Sequence, residues 1–305
     1  MPTNHILIFT EHAPPRLDLP ASGLAIRHGR IAARLAGQGL RVTCAWPDRA
    51  DAPAEHPLSA DGVELLPVES PADLARWCRR RRPDAFVLGY WELADWLPDQ
   101  TSMARVLDYV APRLLERQFE DRDQLTDDLG KLLPLLARCD EIWVGNRRQA
   151  DLMLSLLLLA GHDCRQRAPL AVVPIAGPVV DQYRPSDLAL PPRTLFHGGR
   201  DWPWRQSERW LDAVRELPAD LWRLDDGSEH AGFGPLSDYS ARLRAADAVL
   251  ELSDDNIERR FSLSFRAVDA LCAGRPVICN RFLPLAETLE QASAGWTVET
   301  PDELR

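Results

Sequence analysis

The chain has 305 residues, enough for two domains of ordinary size, and 45% of them are hydrophobic while 27% are charged. This composition is typical of a folded globular protein and excludes a largely disordered chain. The formal net charge of −10 argues against a nucleic-acid partner, because an acidic surface repels a phosphate backbone. Any phosphate that the protein binds must therefore meet a local group of basic side chains.

Cysteine and histidine usage argues against a metal site. The six cysteines form no Cys-x-x-Cys pair, and the seven histidines show no pair at helical spacing. We therefore expect a protein of the reducing cytoplasm, with His12 and His28 at the surface beside the first loop. The amino terminus lacks the features of a signal peptide, and the apolar run 152–160 is too short to span a membrane.

The first part of the chain alternates apolar runs with amphipathic segments. The apolar runs predict strands at 5–10, 41–46, 63–68, 84–90, 103–109, 139–146 and 170–178. Apolar residues at helical spacing predict helices at 24–39, 71–83, 111–138 and 147–163. A strand, a helix and a second strand in this order form a βαβ unit, so we expect a parallel sheet.

Residues 185–192, PSDLALPP, have the composition of a linker, and we place the domain boundary just before them, giving domains 1–180 and 181–305. The second domain repeats the pattern, with strands predicted at 193–197, 248–253, 275–280 and 296–299, and helices at 207–217, 236–247, 261–273 and 284–295. The fold class is therefore α/β, with two Rossmann-like domains whose parallel sheets face each other across a cleft that binds ligand.

The stretch GGRDWPWR, at 198–205, follows a predicted strand and precedes a predicted helix. Glycines allow the backbone to approach a ligand closely, and the amino end of a helix favours an anion. Arg200 and Arg205 are suited to clamping phosphate oxygens, and Trp202 or Trp204 to covering a base or sugar. The alternative is an ordinary turn between a strand and a helix, with solvated arginines.

A second polar stretch surrounds the predicted helix at 261–273. Glu258 lies in a predicted loop, where its carboxylate would accept hydrogen bonds from sugar hydroxyls. Ser262 and Ser264, at the start of the helix, would offer hydroxyl and amide groups to a phosphate. Arg266 is expected on the same face as Glu258. The alternative is a capped helix with an Arg/Glu pair at the surface.

In this order and on these elements, the two stretches resemble those of GT-B-fold glycosyltransferases of family 4. Gly199 and Arg200 match the Gly-Arg pair of the family, and Arg205 falls where the family has Lys. Glu258 matches the first Glu of its E-x7-E pattern, and Arg266 falls where the second stands. Further matches are AGRPVI at 273–278, SAGW at 293–296, and the loop with Gly23 before the helix with Arg27.

The chain is most similar to a bacterial subset of that family from surface-polysaccharide clusters. Asp108 lies in a stretch like the subset's "DlydP…E", and Gly198 to Trp202 echo its "GG..dW". The sequence departs from the family in two places. Tyr90, Trp91 and Glu92 stand where many members have an acceptor-side His, and the second domain lacks part of the usual carboxyl-terminal tail.

The resemblance implies a metal-independent, retaining transferase with no cofactor beyond its donor substrate, a UDP- or GDP-linked sugar. It would move a hexose-type sugar to a glycan, lipid-linked or protein acceptor, in the cytoplasm or at the inner face of the membrane. The departures keep a second hypothesis open, a non-catalytic transferase-like binding or scaffold subunit. Either form is compatible with a partner protein or a homo-oligomer.

The residues implied for each role follow from the matched motifs. The second domain is expected to bind the donor and the first to bind the acceptor. The catalytic candidates are Arg200, Arg205 and Glu258. The donor-binding candidates are Gly23, Gly198, Gly199, Trp202, Ser262, Leu263, Ser264 and Arg266. The acceptor-side candidates are Arg27, Tyr90, Trp91, Glu92 and Asp108.

Overall fold

The computed structural model describes residues 4–48, 56–99, 102–120, 124–177, 194–200, 202–218, 220–225 and 234–304. The chain divides into two compact units. Unit 1 comprises Met1–Arg16, Ala21–Leu114 and Arg122–Pro174, and unit 2 comprises Leu17–Pro20, Leu115–Asp121 and Ile175–Arg305. The predicted boundary between residues 180 and 181 lies outside the described residues.

Unit 1 contains a seven-stranded parallel sheet in the order β3-β2-β1-β4-β5-β6-β7. Its strands are β1 His5–Phe9, β2 Arg41–Pro47, β3 Val63–Val68, β4 Ala85–Leu88, β5 Ala104–Tyr109, β6 Glu141–Val144 and β7 Leu170–Val172. Its helices are α1 Gly23–Gly37, α2 Pro57–Ala60, α3 Pro71–Arg81, α5 Leu125–Leu136 and α6 Arg147–Leu159, with a short 3-10 helix at Trp91–Trp96. Helix α4, Arg113–Phe119, begins in unit 1 and continues into unit 2.

Strand β1, which lies between β2 and β4 in the interior of the sheet, shows why this sheet forms. Leu7, Ile8 and Phe9 are fully buried, and a continuous apolar run is typical of a parallel strand covered on both faces. Leu7 and Phe9 share a core with α5 and α6, whereas Ile8 packs on the side of α1. The structure has a strand in each of the seven ranges predicted for the first half, and those predictions are confirmed.

The predicted single helix at 111–138 is wrong, because the structure has two helices there, α4 and α5. Helix α4 ends at Phe119 and α5 begins at Leu125, and the sequence between them contains the charged run EDRD, which offers no apolar side chain to bury. A helix through that run would gain no packing against a core, and packing supplies most helical stability.

Unit 2 contains a five-stranded parallel sheet in the order β12-β11-β10-β8-β9. Its strands are β8 Thr194–Phe196, β9 Arg223–Asp225, β10 Ala248–Glu251, β11 Val277–Asn280 and β12 Gly295–Val298. Its helices are α7 Glu208–Arg215, α8 Leu236–Ala245, α9 Ile257–Phe261, α10 Phe265–Cys272 and α11 Ala286–Ala292.

The predicted helix at 261–273 is also wrong, since α9 and α10 are separated by three residues in the extended and loop regions. Each helix has its own cap. The side chain of Asn256 accepts from the amide of Arg259 (3.1 Å), and the hydroxyl of Ser264 accepts from the amide of Ala267 (3.3 Å). Glu258 therefore lies on a short helix and not in a loop.

Candidate functional site

The two polar stretches meet at one edge of the unit 2 sheet. Strand β8 ends at Phe196 and β10 at Glu251, and neighbouring parallel strands end at the same edge. Residues 197–205 follow β8, and residues 252–266 follow β10. The carboxyl edge of an open α/β sheet is where such folds bind ligands, so the sequence-predicted residues of unit 2 lie where a ligand is expected.

Both glycines after β8 are required by their surroundings. A Cβ on Gly198 would lie 2.0 Å from the ring of Phe196. Gly199 has a φ of +80°, and a Cβ there would lie 2.8 Å from Cδ of Arg266. The guanidinium of Arg266 also donates to the carbonyl of Arg200 (3.2 Å). The glycine turn and Arg266 therefore fit against each other.

Arg200 and two tryptophans form a stack beside this turn. The exposed guanidinium of Arg200 lies 4.1 Å from the ring centroid of Trp202. Trp202 stacks on the buried Trp204, with centroids 4.9 Å apart and planes 8° apart. Asp201, between them, lies outside the described residues. Among the described residues of this loop, the stack presents the exposed guanidinium of Arg200 on the face of Trp202.

Arg205 lies beneath the loop. It is 1% exposed, and its guanidinium donates to the carbonyl of Gly198 (3.2 Å) and to Nδ1 of His197 (3.0 Å). Helix α9 is tied to the same segment, because the side-chain amide of its cap residue Asn256 donates to the carbonyl of Trp204 (2.8 Å). Arg205 thus supports the glycine turn, and its contact with a phosphate stays a prediction.

Glu251 is the functional candidate that the sequence reasoning missed. It is the last residue of β10, it is 1% exposed, and both of its oxygens are hydrogen-bonded. Arg259 donates to Oε1 (2.5 Å), Arg266 to Oε1 (3.3 Å) and Oε2 (3.2 Å), and the hydroxyl of Ser264 to Oε2 (2.7 Å). The available signal was a carboxylate inside the apolar run AVLELS.

The two carboxyl groups of this site have opposite pKa shifts. Burial would raise the pKa of Glu251, but the charges of Arg266, Arg259 and Arg205 hold that pKa well below its usual range. Burial raises the pKa of Glu258 to about 7, against the opposing effects of Arg259 and Ser262. Glu258 is 1% exposed, and no described residue donates a hydrogen bond to its Oε2.

The segment 262–264 uses its hydroxyl groups within the protein. Ser262 accepts from Arg259 (3.0 Å), and Ser264 donates to Glu251. The first-turn amides of α10 have no partner within the helix itself, as at the start of any helix. Leu263 is half-buried just before that turn. The amides of Ser262 and Ala267 also donate within the protein, to the carbonyl of Glu258 (2.9 Å) and to the hydroxyl of Ser264, so the remaining amides at the start of α10 are the ones suited to meet an anion.

Positive charge dominates the cluster formed by Arg205, Glu251, Glu258, Arg259 and Arg266. Three of its members are guanidinium groups, and one carboxyl group is held fully ionised. The two acids next along the chain, Asp254 and Asp255, are paired with Arg209 and Arg260. The arrangement is therefore suited to an anion, with a glycine turn, a helix start and guanidinium groups at one sheet edge.

In unit 1 the structure brings Arg27, His28 and Asp108 together. Arg27 binds Asp108 through two hydrogen bonds (2.7 and 3.0 Å) and donates to the carbonyls of Val173 (2.8 Å) and Pro174 (3.0 Å). Nε2 of His28 lies 3.0 Å from Oδ2 of Asp108. All three side chains are buried. The expected surface position of His28 is therefore wrong, because it completes this buried group.

The other candidates of unit 1 lie near the same sheet edge. Gly23 is the first residue of α1, and Trp91 is buried in the hydrophobic core. Tyr90 is half-buried, and Glu92 accepts a hydrogen bond from Arg113 (2.9 Å). The structure thus places Trp91 as a core residue, while Tyr90 and Glu92 retain exposed surface.

Other parts of the described chain show no competing site for a metal. Among those residues there is no group of three or more His, Cys, Asp or Glu side chains that could hold a metal ion. A cavity of about 750 Å³ lies in unit 1, lined by residues 66–69 and by α3, and it includes none of the predicted site residues. No helix in the described ranges has the length and apolarity that crossing a membrane requires.

No family model and no curated protein matches this chain. Solved structures do resemble it. Sucrose-phosphate synthase of Thermosynechococcus elongatus matches with a TM-score of 0.70 at 14% identity, over 99% of this chain and 88% of that one. A TarM variant of S. aureus, solved with UDP, matches at 0.66 and 6% identity, over 99% and 91%. HepE of Anabaena, solved with UDP and glucose, matches at 0.61 and 13% identity, over 99% and 88%. The expected GT-B fold of glycosyltransferases is thereby confirmed for this chain.

Proposed function

We propose that the protein is a nucleotide-sugar-dependent glycosyltransferase whose donor is linked to UDP or GDP. The observation that carries the proposal is the guanidinium cluster beside the Gly198–Gly199 turn, at the carboxyl edge of the unit 2 sheet. HepE and TarM share the fold and were solved with UDP, which supports a nucleotide donor. A diphosphate carries the charge that such a cluster would complement.

The proposed mechanism uses this positive charge to stabilise the leaving group. As the bond between sugar and diphosphate breaks, negative charge builds on the departing phosphate. Arg200, Arg266 and the first-turn amides of α10 are the groups that would meet that charge, with Arg205 supporting the turn from beneath. Fixed cations could replace a metal ion in this role, which is why the proposal includes metal independence.

Glu258 is proposed to hold hydroxyl groups of the donor sugar. A carboxyl group with a pKa of about 7 can both accept and donate hydrogen bonds near neutral pH. Its role would be to orient the anomeric carbon toward the acceptor. Retention of configuration and transfer of a hexose-type sugar are part of the proposal and rest on the resemblance to family 4.

The acceptor is proposed to be a glycan or glycolipid at the cytoplasmic face of the membrane. The support is a basic run at the end of α3, Arg79 to Arg82, which is exposed and forms no ion pair with a described residue. Clustered arginines attract anionic headgroups by roughly 1 kcal/mol each. Co-sedimentation with anionic and neutral vesicles would test this placement.

The central experiment measures binding of UDP and GDP by calorimetry, with and without magnesium. Arg200→Ala is the informative variant, because this exposed side chain can be removed without disturbing the core. We expect it to weaken binding about tenfold through the loss of a charged hydrogen bond to phosphate. Arg215→Ala is the matched control, since Arg215 is an exposed arginine paired on α7 away from the turn.

The possible outcomes separate the two hypotheses. If neither nucleotide binds the wild-type protein, the proposed function is wrong. If a nucleotide binds but no sugar is transferred or hydrolysed from any donor tested, the non-catalytic binding subunit is favoured. Equal affinity with and without magnesium would support metal-independent binding.

A further inference from the structure

Strand β10 ends in a charged residue where an apolar residue is expected. Its sequence is AVLE, every residue of it is buried, and it lies in the middle of the five-stranded sheet. An ionised carboxylate at such a position costs free energy unless it is paired and hydrogen-bonded. Glu251 therefore needs partners, and the fold supplies them from outside the strand.

Those partners come from the two helices that follow β10. Arg259 is on α9, Arg266 is on α10, and Ser264 is the cap of α10. Together they donate two hydrogen bonds to each carboxylate oxygen. A carboxylate has about four acceptor sites, so Glu251 is saturated by the protein itself. With these sites filled, Glu251 has none left to offer a ligand, in contrast to Glu258, whose Oε2 accepts no hydrogen bond from a described residue.

The hydrogen bonds of Glu251 extend to the glycine turn through one of these partners. Nε and Nη2 of Arg266 bind Glu251, and Nη1 donates to the carbonyl of Arg200. Cδ of Arg266 occupies the space that a Cβ on Gly199 would need. Arg266 is thus held at one end by the carboxylate and contacts the turn at the other.

Without Glu251, the same groups would not keep these positions. The guanidinium groups of Arg259 and Arg266 both lie within hydrogen-bond distance of one carboxylate, and like charges so close repel each other. The carboxylate offsets this repulsion and fixes both side chains. Removing its charge would let Arg266 turn away and leave the turn and the start of α10 without their common support.

We propose that Glu251 is a positioning residue, which holds Arg266 and Ser264 so that the Gly198–Arg200 turn and the first turn of α10 face the donor diphosphate in fixed geometry. This inference rests on the proposed function for the identity of the ligand. The positioning itself is a property of the ligand-free protein. If Glu251 had only a structural role, its loss would destabilise unit 2 as a whole. It would not loosen the Gly198–Arg200 turn and the first turn of α10 more than other parts of the unit.

The first test is hydrogen–deuterium exchange of the ligand-free protein, comparing the wild type with Glu251→Gln. The amide keeps the size of the side chain but loses its charge, and it adds N–H groups that face the arginines. We expect faster exchange in peptides covering 198–205 and 262–268, with unchanged exchange in α7 and in unit 1. Unchanged exchange in the two segments, or equal acceleration throughout unit 2, would overturn the proposal.

The second test is the affinity for UDP or GDP, whichever binds the wild type. Glu251→Gln should weaken binding about tenfold through the loss of preorganisation, whereas Glu299→Gln, which removes an exposed carboxylate paired with Arg281, should leave it unchanged. In the background of Arg266→Ala, the effect of Glu251→Gln should be smaller than in the wild type, because only the contribution through Ser264 remains. Additive effects, or an unchanged dissociation constant, would count against positioning.

These tests also separate the two proposals. If the wild type binds no nucleotide, the proposed function is wrong, and the exchange experiment still decides the role of Glu251. If Glu251→Gln does not fold, Ser264→Ala and Arg266→Lys replace it. Ser264→Ala removes one hydrogen bond to the carboxylate and Arg266→Lys alters two, and faster exchange confined to the same two segments is again expected. Exchange that stays at the wild-type rate in both variants would refute the proposal.

Discussion

Each unit of the protein buries a carboxylate near the carboxyl end of a strand and pairs it with arginine, but the two arrangements differ. In unit 1, Arg27 makes four hydrogen bonds to Asp108 and two carbonyls, and its side chain is 2% exposed. In unit 2, the side chain of Arg266 is 16% exposed and reaches from Glu251 to a glycine turn. The first group is closed, and the second is accessible to a ligand.

The difference shows that an ion pair alone does not identify a binding site. Asp108 has a pKa below its usual value although burial would raise it, because His28 and Arg27 favour the carboxylate. The negative charge of Asp108 is balanced by the positive charge of Arg27, so the pair has no net charge to attract an anion. Around Glu251 three guanidinium groups gather, and this excess suits an anionic ligand.

The largest expected effect comes from breaking the closed group. Asp108→Asn leaves the guanidinium of Arg27 buried beside a neutral amide, and we expect the free energy of unfolding to fall by about 3–5 kcal/mol. Urea denaturation measures this. Asp163→Asn, which alters a surface pair with Arg165, is the control and should cause no measurable change. A loss for Asp108→Asn no larger than that of the control would refute the description of a closed structural group.

A smaller effect is expected from Glu258, whose folded pKa of about 7 lies above its ordinary value of 4.5. The folded protein therefore binds more protons than the unfolded chain between those values, and this group lowers stability as the pH rises through that window. Glu258→Gln removes the titration. At pH 8 it should be more stable than the wild type, by up to about 3 kcal/mol.

The gain should shrink toward pH 5, because the wild-type carboxyl group is then neutral in the folded protein. Denaturation of both proteins at pH 5, 6.5 and 8 measures the trend. A gain that does not vary with pH would mean that Glu258 is not the titrating group. Arg259, Arg266 and Glu251 are the charged groups that influence it, so these residues stay unchanged in the comparison.

The smallest effect on stability tests the contact between the turn and Arg266. Gly199 and Gly39 have similar positive φ values, +80° and +84°, but a Cβ added at Gly39 would meet no described atom within 4 Å, whereas one at Gly199 would meet Arg266. Alanine at either site should cost about 1 kcal/mol of backbone strain. Only Gly199→Ala should also weaken nucleotide binding, by about tenfold, because it displaces Arg266. Equal nucleotide affinities for the two variants would show that Arg266 does not contribute to nucleotide binding.

Local patterns explain what the sequence could predict. Apolar runs such as HILIF are bounded by polar, Gly or Pro residues, so the positions of the strands can be predicted from the sequence. Their parallel orientation follows from the helices that alternate with them. Gly199 and Arg200 were also identified, because the glycine turn follows directly after a strand. The reason why position 199 must be glycine is visible only in the structure. The side chain of Arg266, 66 positions after Arg200, occupies the space that a Cβ would need.

The errors have equally specific causes. Apolar residues on both sides of 262–264 keep helical spacing, so the break was hidden, although Asn256 and Ser264 are residues that commonly cap helices. Arg27 and Asp108 are 81 positions apart, and one sequence holds no signal for such a pair. Glu251 lies inside the predicted strand 248–253 and carries no local signal of its role, because its partners are assembled only when α9 and α10 fold back onto β10.

The stacked indoles of Trp202 and Trp204 make the candidate site optically visible. Two indole rings 4.9 Å apart couple their intense far-ultraviolet transitions, and we expect circular dichroism to detect this coupling. The cation of Arg200 rests on the outer ring, so any ligand that draws this side chain away changes the surroundings of that chromophore. The protein therefore carries an intrinsic spectroscopic reporter of the loop, and no label has to be attached.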